Sequence, residues 1–452
     1  MAAMSSSQAY TAKKLPRDPG PAAWNKILPS RAISNALEQD IRCDWLVIGA
    51  GFAGLSAARR LSQLRGGDDI VVIDATTIGD GPAGRNSGFM IDLPHDLSSE
   101  EYTSSLDRDL WQIRLNREAI SFARDAAEDF NMPDEAVDAC GRINGAADDN
   151  GLKHNRDYAE HLKNLGEDFE ELDAKAMKAV TGSDFYSTGL YMPGTCLLQP
   201  ALYIRGLAEG LSSSISLYEN TPAIAMEKQG QDWQVKTPKG TISCPKIILA
   251  VNGHAESFGF FKGRLMHVFT YASMTEAMSD KQMKALGGER RWGVTPSDPM
   301  GSTVRRISGI GGDRIVVRNR WSFDPSMEVS ESRIARYGRD QDKGFLRRFP
   351  MLKDVRMEYR WSGRLCLSYN SAPAFGEVDD GMIAACCQNG LGTAKGTLAG
   401  IAAAEMAMRT NSHLADELLA APQPQKLPPK PIAWLGAKAS IAWREFKGRA
   451  EI

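Results

Sequence analysis

One short segment constrains this chain more than any other. Residues 45–48, Trp-Leu-Val-Ile, form an apolar run that stops at Gly49. The run Gly49-Ala50-Gly51-Phe52-Ala53-Gly54 then follows. From Ala53 to Leu64, small residues and leucines recur at helical spacing up to Gly66-Gly67, a helix stop. Residues 70–73, Ile-Val-Val-Ile, are a second β-branched run ending at Asp74. Strand, helix and strand within about thirty residues make a βαβ unit with a parallel sheet. In that setting Gly49 permits the tight turn, Gly51 lets a pyrophosphate approach the backbone, and Gly54 lets the helix pack on the strand. The pyrophosphate rests on the free amides at the positive end of the helix. Asp74, about twenty residues beyond the last glycine, stands where a carboxylate grips an adenosine ribose. The same carboxylate repels a 2′-phosphate, which disfavours NADP.

Two further segments bear on the choice between FAD and NAD. Gly81-Pro82-Ala83-Gly84-Arg85-Asn86-Ser87-Gly88 is a glycine-rich loop that can bring backbone amides and an arginine to a second phosphate or a flavin edge. Far down the chain, Gln388-Asn389-Gly390-Leu391-Gly392-Thr393 joins a buried run at 382–386 to an Ala/Gly-rich helix over 393–408. That is a second helix N-terminus able to approach a ligand. A cofactor held from both ends of the chain is long, which favours FAD.

At 452 residues the chain is long enough for two or three domains. A net charge of −2 provides no global attraction for nucleic acid or an acidic membrane. Seven cysteines without a CxxC pair, and six histidines not clustered with them, argue against a disulfide framework or structural zinc. Neither a secretory h-region nor a membrane-spanning apolar stretch is visible, so a cytoplasmic protein is expected. Residues 1–40, broken by prolines, read as irregular, with order beginning at Trp45. A polar helix is expected over 99–130, with Leu106, Leu110, Ile113, Ile120 and Phe122 as its apolar stripe. A similar helix is expected over 153–180, and a shorter one over 200–211. Short strands alternate with turns over 214–248 and lead to a buried strand at 246–251. Residues 264–275 and 313–320 are strand-like and belong to a different sheet. A proline-rich linker precedes a basic amphipathic helix over 433–446, which either packs back on the protein or contacts a membrane or partner.

These motifs together resemble the D-amino-acid-oxidase-like superfamily, in its gamma-glutamylputrescine, sarcosine and glycine oxidase branch. The resemblance runs from about Asp44 to Met408. It rests on Val47 to Ala58, on Gly84 to Gly88, on Ile248-Leu249-Ala250-Val251-Asn252-Gly253, on Trp361-Ser362-Gly363 with Pro373 and Gly376, and on Asn389 to Thr393. It implies an α/β protein: a Rossmann-like FAD-binding domain (1–98, 196–256 and 365–412) interleaved with an α+β substrate domain (99–195 and 257–364) containing a mixed sheet. Residues 413–452 then form a linker and terminal helix. It further implies that Ala223 touches the adenine through its backbone and that Asn252 and Gly253 belong to the cofactor site. The Arg85–Gly88 loop and the Asn389–Thr393 turn would flank the flavin ring. Cys366 does not fit the spacing for covalent attachment, so non-covalent FAD is expected.

The implied activity is oxidation of a C–N bond in a small amine or amino acid by hydride transfer to the flavin. The imine hydrolyses to an aldehyde or keto acid, and O2 is reduced to H2O2. Hydride transfer from a neutral amine requires no strong base, and none is assigned. Arg314, Arg318 and Arg320 fall on one alternating face of a strand, and Arg318 is the candidate carboxylate clamp. Tyr271 is a candidate pocket residue. His254, His267, Cys386 and Cys387 read as structural. Two other readings stay open: a dehydrogenase passing electrons to a quinone, carrier or partner subunit, and a non-catalytic FAD-binding homologue.

Overall fold

The computed structural model describes residues 9–31, 35–94 and 106–452. Two large sheets organise it. The first has six strands in the spatial order Ser216–Tyr218, Ile70–Ile73, Trp45–Ile48, Lys246–Leu249, Met382–Cys386 and Ala374–Asp379. All pairings are parallel except the last, an antiparallel hairpin. Its central strands are apolar on both sides because both faces are covered. One face packs against the helices Phe52–Leu64 and Ala394–Ala407. The other meets Met226, Trp233, Val235 and Ile242 of a five-stranded sheet.

The second sheet has eight strands. Its order is Met357–Ser368, Leu265–Thr275, Arg314–Phe323, Thr303–Ile307, Trp292–Pro296, Arg142–Ala146, Thr188–Met192 and Glu170–Asp173. Only the pairing of Trp292–Pro296 with Arg142–Ala146 is parallel, so this sheet is mixed.

Several expected elements differ. Of the expected irregular segment 1–40, residues 1–8 and 32–34 lie outside the described residues, and parts of the rest are fastened. Ala9–Thr11 adds a strand to the five-stranded sheet, and the turn of helix Ala23–Lys26 buries Trp24 completely. The helix expected over 153–180 divides into Asp149–Leu165, the strand Glu170–Asp173 and the helix Ala174–Thr181. Gly166, at φ 71°, ends the first piece in the left-handed conformation. The polar helix is described over Leu106–Asp129, and residues 99–105 of its expected span lie outside the described residues. Ile113 and Ile120 are buried as expected, whereas Leu106 is exposed at the helix start. The terminal helix spans Lys430–Lys447.

Candidate active site

The loops at the carboxyl ends of the three neighbouring parallel strands, after Ile48, Ile73 and Leu249, open into one cavity. This is the ligand position dictated by a doubly wound sheet. Gly49 sits at φ +105°, and a Cβ there would lie 2.7 Å from the Ala250 carbonyl oxygen. A Cβ on Gly54 would lie 1.7 Å from the Gly49 oxygen, so this glycine sets the helix against the strand. No side chain caps the helix that starts at Phe52, leaving its amides directed at the cavity. Asp74 lines the cavity and is held from behind. Its Oδ2 accepts from the Ala50 amide at 2.9 Å, and its Oδ1 accepts from the Thr76 amide and hydroxyl at 2.8 and 3.0 Å. Burial pushes this carboxyl above its ordinary range, and the three donors pull it back. Its remaining lone-pair site, on Oδ2, can still accept from a ribose hydroxyl.

A second helix end reaches the same cavity. Gly390, Gly392 and Thr393 line the cavity, and no side chain caps the helix Ala394–Ala407. A Cβ on Gly400 would lie 2.1 Å from the Ala53 oxygen, so the two helices pack with their backbones close together. Two uncapped helix ends, a held carboxylate and a glycine-lined wall fit a long dinucleotide cofactor.

The structure brings Gly49, Gly51, Phe52, Ala53, Asp74, Asn86, Ser87, Ala223, Asn252, Gly253, Gly390, Gly392, Thr393 and Arg318 to the cavity. Six expected site residues are not among its lining. Gly54 has the packing role described above. Arg85 is buried, and its guanidinium donates to the carbonyls of Asp18, Pro19, Gly20 and Asp80, pinning the N-terminal segment instead of reaching a phosphate. Gly88 is enclosed by Arg305 and the Leu198 carbonyl. Asn389 turns back, accepting from the Ser368 amide and donating to the Ser371 and Ala372 carbonyls. Leu391 packs beside Phe89, Ile91 and Leu197. Tyr271 is the sixth. Its hydroxyl bonds Ser322 at 2.6 Å and its ring contacts Tyr337, making it a core tyrosine.

Of the three strand arginines only Arg318 reaches the cavity. Arg314 is engaged with Glu358 and the Thr275 carbonyl. Arg320 sits at φ 59° in a bulge: Thr270 pairs with Trp321 and Tyr271 with Asn319, so Arg320 is skipped and breaks the alternation. It pairs with Asp340 and Glu445. Among the described residues no carboxylate pairs with Arg318. Its guanidinium lies 4.9 Å from the Trp321 ring centre, and burial alone pushes its pKa down to about 10. The residue is half-buried and lines the cavity.

Sequence reasoning missed the opposite rim. Lys14, Leu15, Pro16 and Asp18 close part of the cavity from the N-terminal segment. Asp18 pairs with Arg364 at 2.7 Å, and Arg364 stands 2.8 Å from the His254 ring nitrogens. His254 lines the cavity, and burial, with Arg364 and His267 beside it, pushes its pKa down to about 2, so it is neutral. Cys366 also lines the cavity. Its contact with Cys387 and its burial push the thiol up.

Residues 44–406 match the family described as FAD dependent oxidoreductase, DAO. The chain belongs to this family. Among curated relatives, Probable oxidoreductase OrdL of Haemophilus influenzae is 26% identical over 391 residues, covering 84% of this chain and 86% of the relative. Gamma-glutamylputrescine oxidoreductase of Escherichia coli K12 is 24% identical over 365 residues, covering 79% and 81%. Among solved structures, glycine oxidase from Geobacillus kaustophilus superposes with a TM-score of 0.68 at 17% identity, covering 86% of this chain and 100% of that one. L-proline dehydrogenase from P. horikoshii gives 0.65 at 17%, covering 84% and 96%. The α/β architecture with mixed sheets is thus that of DAO-fold flavoproteins, and FAD is this oxidoreductase's cofactor. No helix among the described residues is long and apolar enough to cross a membrane.

Proposed function

We propose that this DAO-family oxidoreductase oxidises the C–N bond of a small amine that carries a carboxylate, an amino acid or an N-substituted one. The observation that carries the reading is Arg318: an enclosed guanidinium facing the cavity without a carboxylate of its own among the described residues. An enclosed charge left unpaired is costly, and a bidentate substrate carboxylate supplies the missing partner. The relatives' names point the same way: glycine and L-proline carry an amine beside a carboxylate, and gamma-glutamylputrescine is also an amine.

Bound non-covalently, FAD supplies the acceptor for a hydride from the carbon next to nitrogen. The chain binds and orients. Asp74 takes the ribose, and the helix ends at Phe52 and Ala394 take the pyrophosphate and the region beyond it. Arg318 fixes the carboxylate, and through it the reacting carbon. Thr270, Gly363 and Leu365 of the eight-stranded sheet wall the substrate from bulk water. His254 is neutral and Asp18 is engaged with Arg364, so neither takes a proton from the amine, which arrives neutral. The raised Cys366 thiol is a poor nucleophile toward the cofactor, consistent with non-covalent binding. The imine product hydrolyses to a keto acid or aldehyde, and oxygen takes the electrons as H2O2. In this reading residues 1–98, 196–256 and 365–412 form the FAD unit, and residues 99–195 and 257–364 the substrate unit.

The test is the visible flavin spectrum of the purified holoprotein, mixed without air with amino acids and then with matched amines lacking the carboxylate. Bleaching by an amino acid, reversed by oxygen with stoichiometric peroxide, is the expected result. Bleaching that oxygen reverses only slowly would make the enzyme a dehydrogenase with another acceptor. Bleaching by the plain amines alone would overturn the carboxylate reading.

A further inference from the structure

The terminal helix Lys430–Lys447 exposes the wrong face for a helix that only covers its own protein. Its inward side is narrow: Ala437 and Ile441 pack beside Trp321 and Phe323, and Glu445 pairs with Arg320. Its outward side carries Ile432, Leu435, Trp443 and Phe446, each 57–61% exposed. At 3.6 residues per turn these four fall within about 80° of arc, one continuous apolar stripe. Lys438 lies 3.7 Å over Trp434, Lys447 5.6 Å over Trp443, and Arg449 4.4 Å over Phe446, so the aromatic rings are bordered by cations.

The stripe is held in place. Beyond the helix, the Glu451 carboxylate is buried and accepts from the Ser297 hydroxyl at 2.6 Å and the Asp298 amide at 2.9 Å, while Arg348 donates to the Glu451 carbonyl at 2.6 Å. This is a fastened helix that presents its apolar face outward.

We propose that this helix docks the enzyme on an anionic phospholipid surface, lying in the plane of the interface with Ile432, Leu435, Trp443 and Phe446 toward the acyl chains. Charge selects this occupant. Residues 426–449 contain Lys426, Lys430, Lys438, Arg444, Lys447 and Arg449 against Glu445 alone, in a chain whose net charge is −2. Glu445 is turned inward to Arg320, so the acid does not offset the basic border. Aromatic and aliphatic residues on one side with lysine and arginine alongside are what an interfacial helix requires. A second copy fits less well. A two-fold contact sets the same stripe against itself and brings both basic borders together.

The experiment is co-sedimentation of the full-length holoenzyme with vesicles of phosphatidylcholine alone and of phosphatidylcholine with 30% phosphatidylglycerol. We expect binding to the anionic vesicles, weakened by 0.5 M salt and at least tenfold weaker on phosphatidylcholine alone. The triple variant L435S/W443S/F446S should lose binding by at least tenfold, and K438E/K447E by about tenfold on anionic vesicles only. Flavin absorbance and melting temperature of each variant verify folding, because these side chains lie outside the core. Wild-type protein that stays in the supernatant at low salt overturns the proposal. So does a triple variant that binds like wild type, or a wild-type dimer in solution that the triple variant converts to monomer.

Discussion

Replacing Arg318 by methionine separates a substrate clamp from a structural arginine, because the two roles predict opposite effects on stability. Methionine keeps most of the side chain's length and apolar volume while removing the charge and the donors. In the substrate-free holoenzyme the lost interaction is the contact with Trp321 at 4.9 Å, about 0.5–2 kcal/mol. The gain is relief from burying a charge that no described carboxylate pairs. The melting temperature should therefore stay level or rise. The pH dependence carries the same sign. Folding lowers the proton affinity of Arg318 to a pKa of about 10, so its charged form is a cost at neutral pH that fades as the pH rises through that value. The stability advantage of R318M is accordingly largest near neutrality. Catalysis should move the other way. Removing one partner of a buried, hydrogen-bonded charge pair costs about 2–5 kcal/mol, or about 30- to 5,000-fold in kcat/KM for an amino acid. An amine without the carboxylate should change by no more than about threefold. Steady-state kinetics on the matched pair, with thermal melts, decide the matter. Equal losses on both substrates, or a melting temperature several degrees lower, would refute the clamp.

The cofactor site yields further expectations. A Cβ on Gly51 would meet nothing nearer than the Ala83 Cβ at 3.6 Å, and Gly51 is at φ −92°, so G51V should fold as an apoprotein with unchanged circular dichroism yet purify colourless; a yellow G51V would remove the pyrophosphate from this turn. D74N should weaken FAD binding about 10- to 150-fold, measured by titrating apoprotein, since a charge-assisted bond contributes about 1.5–3 kcal/mol. Burial makes the ionised Asp74 carboxyl costly, but asparagine sets an amide NH2 against the Ala50 or Thr76 donors and leaves one unsatisfied, so apo D74N should melt lower than the apo wild type at neutral pH. An unchanged FAD affinity would contradict the ribose assignment. H254Q should leave the acid limb of the kcat/KM profile in place, because His254 is neutral down to about pH 2, and that limb should instead track the pKa of the substrate amine. Loss of the limb in H254Q would make the histidine a base.

The parallel sheet was legible because its strands 45–48, 70–73, 247–249 and 382–386 are continuous apolar runs, as strands covered on both faces must be. The first glycine turn was legible because its chemistry is local: Gly49 and Gly54 meet atoms within a few residues or on the adjacent strand. Arg85 and Asn389 misled for the opposite reason. A polar side chain in a glycine-rich loop looks the same in sequence whether it faces a phosphate or the carbonyls of Asp18 to Gly20, and only packing distinguishes the two. The rim formed by Asp18, Arg364 and His254 joins segments hundreds of residues apart and leaves no periodic signal.

The bulge at Arg320 shows how one such non-local feature determines the site. Strict alternation would place Arg318 and Arg320 on the same side, two cations with a shared outlook. Skipping one residue in the ladder puts Trp321 beside Arg318 instead, where its ring contacts the guanidinium. The displaced Arg320 is received by Asp340 and by Glu445 of the terminal helix, which also accepts from the Trp321 amide at 3.4 Å. The arginine that lines the cavity without a carboxylate among the described residues and the arginine that has two thus sit two residues apart. What separates them is the local break in pairing, and the terminal helix supplies one of the two carboxylates that hold it open.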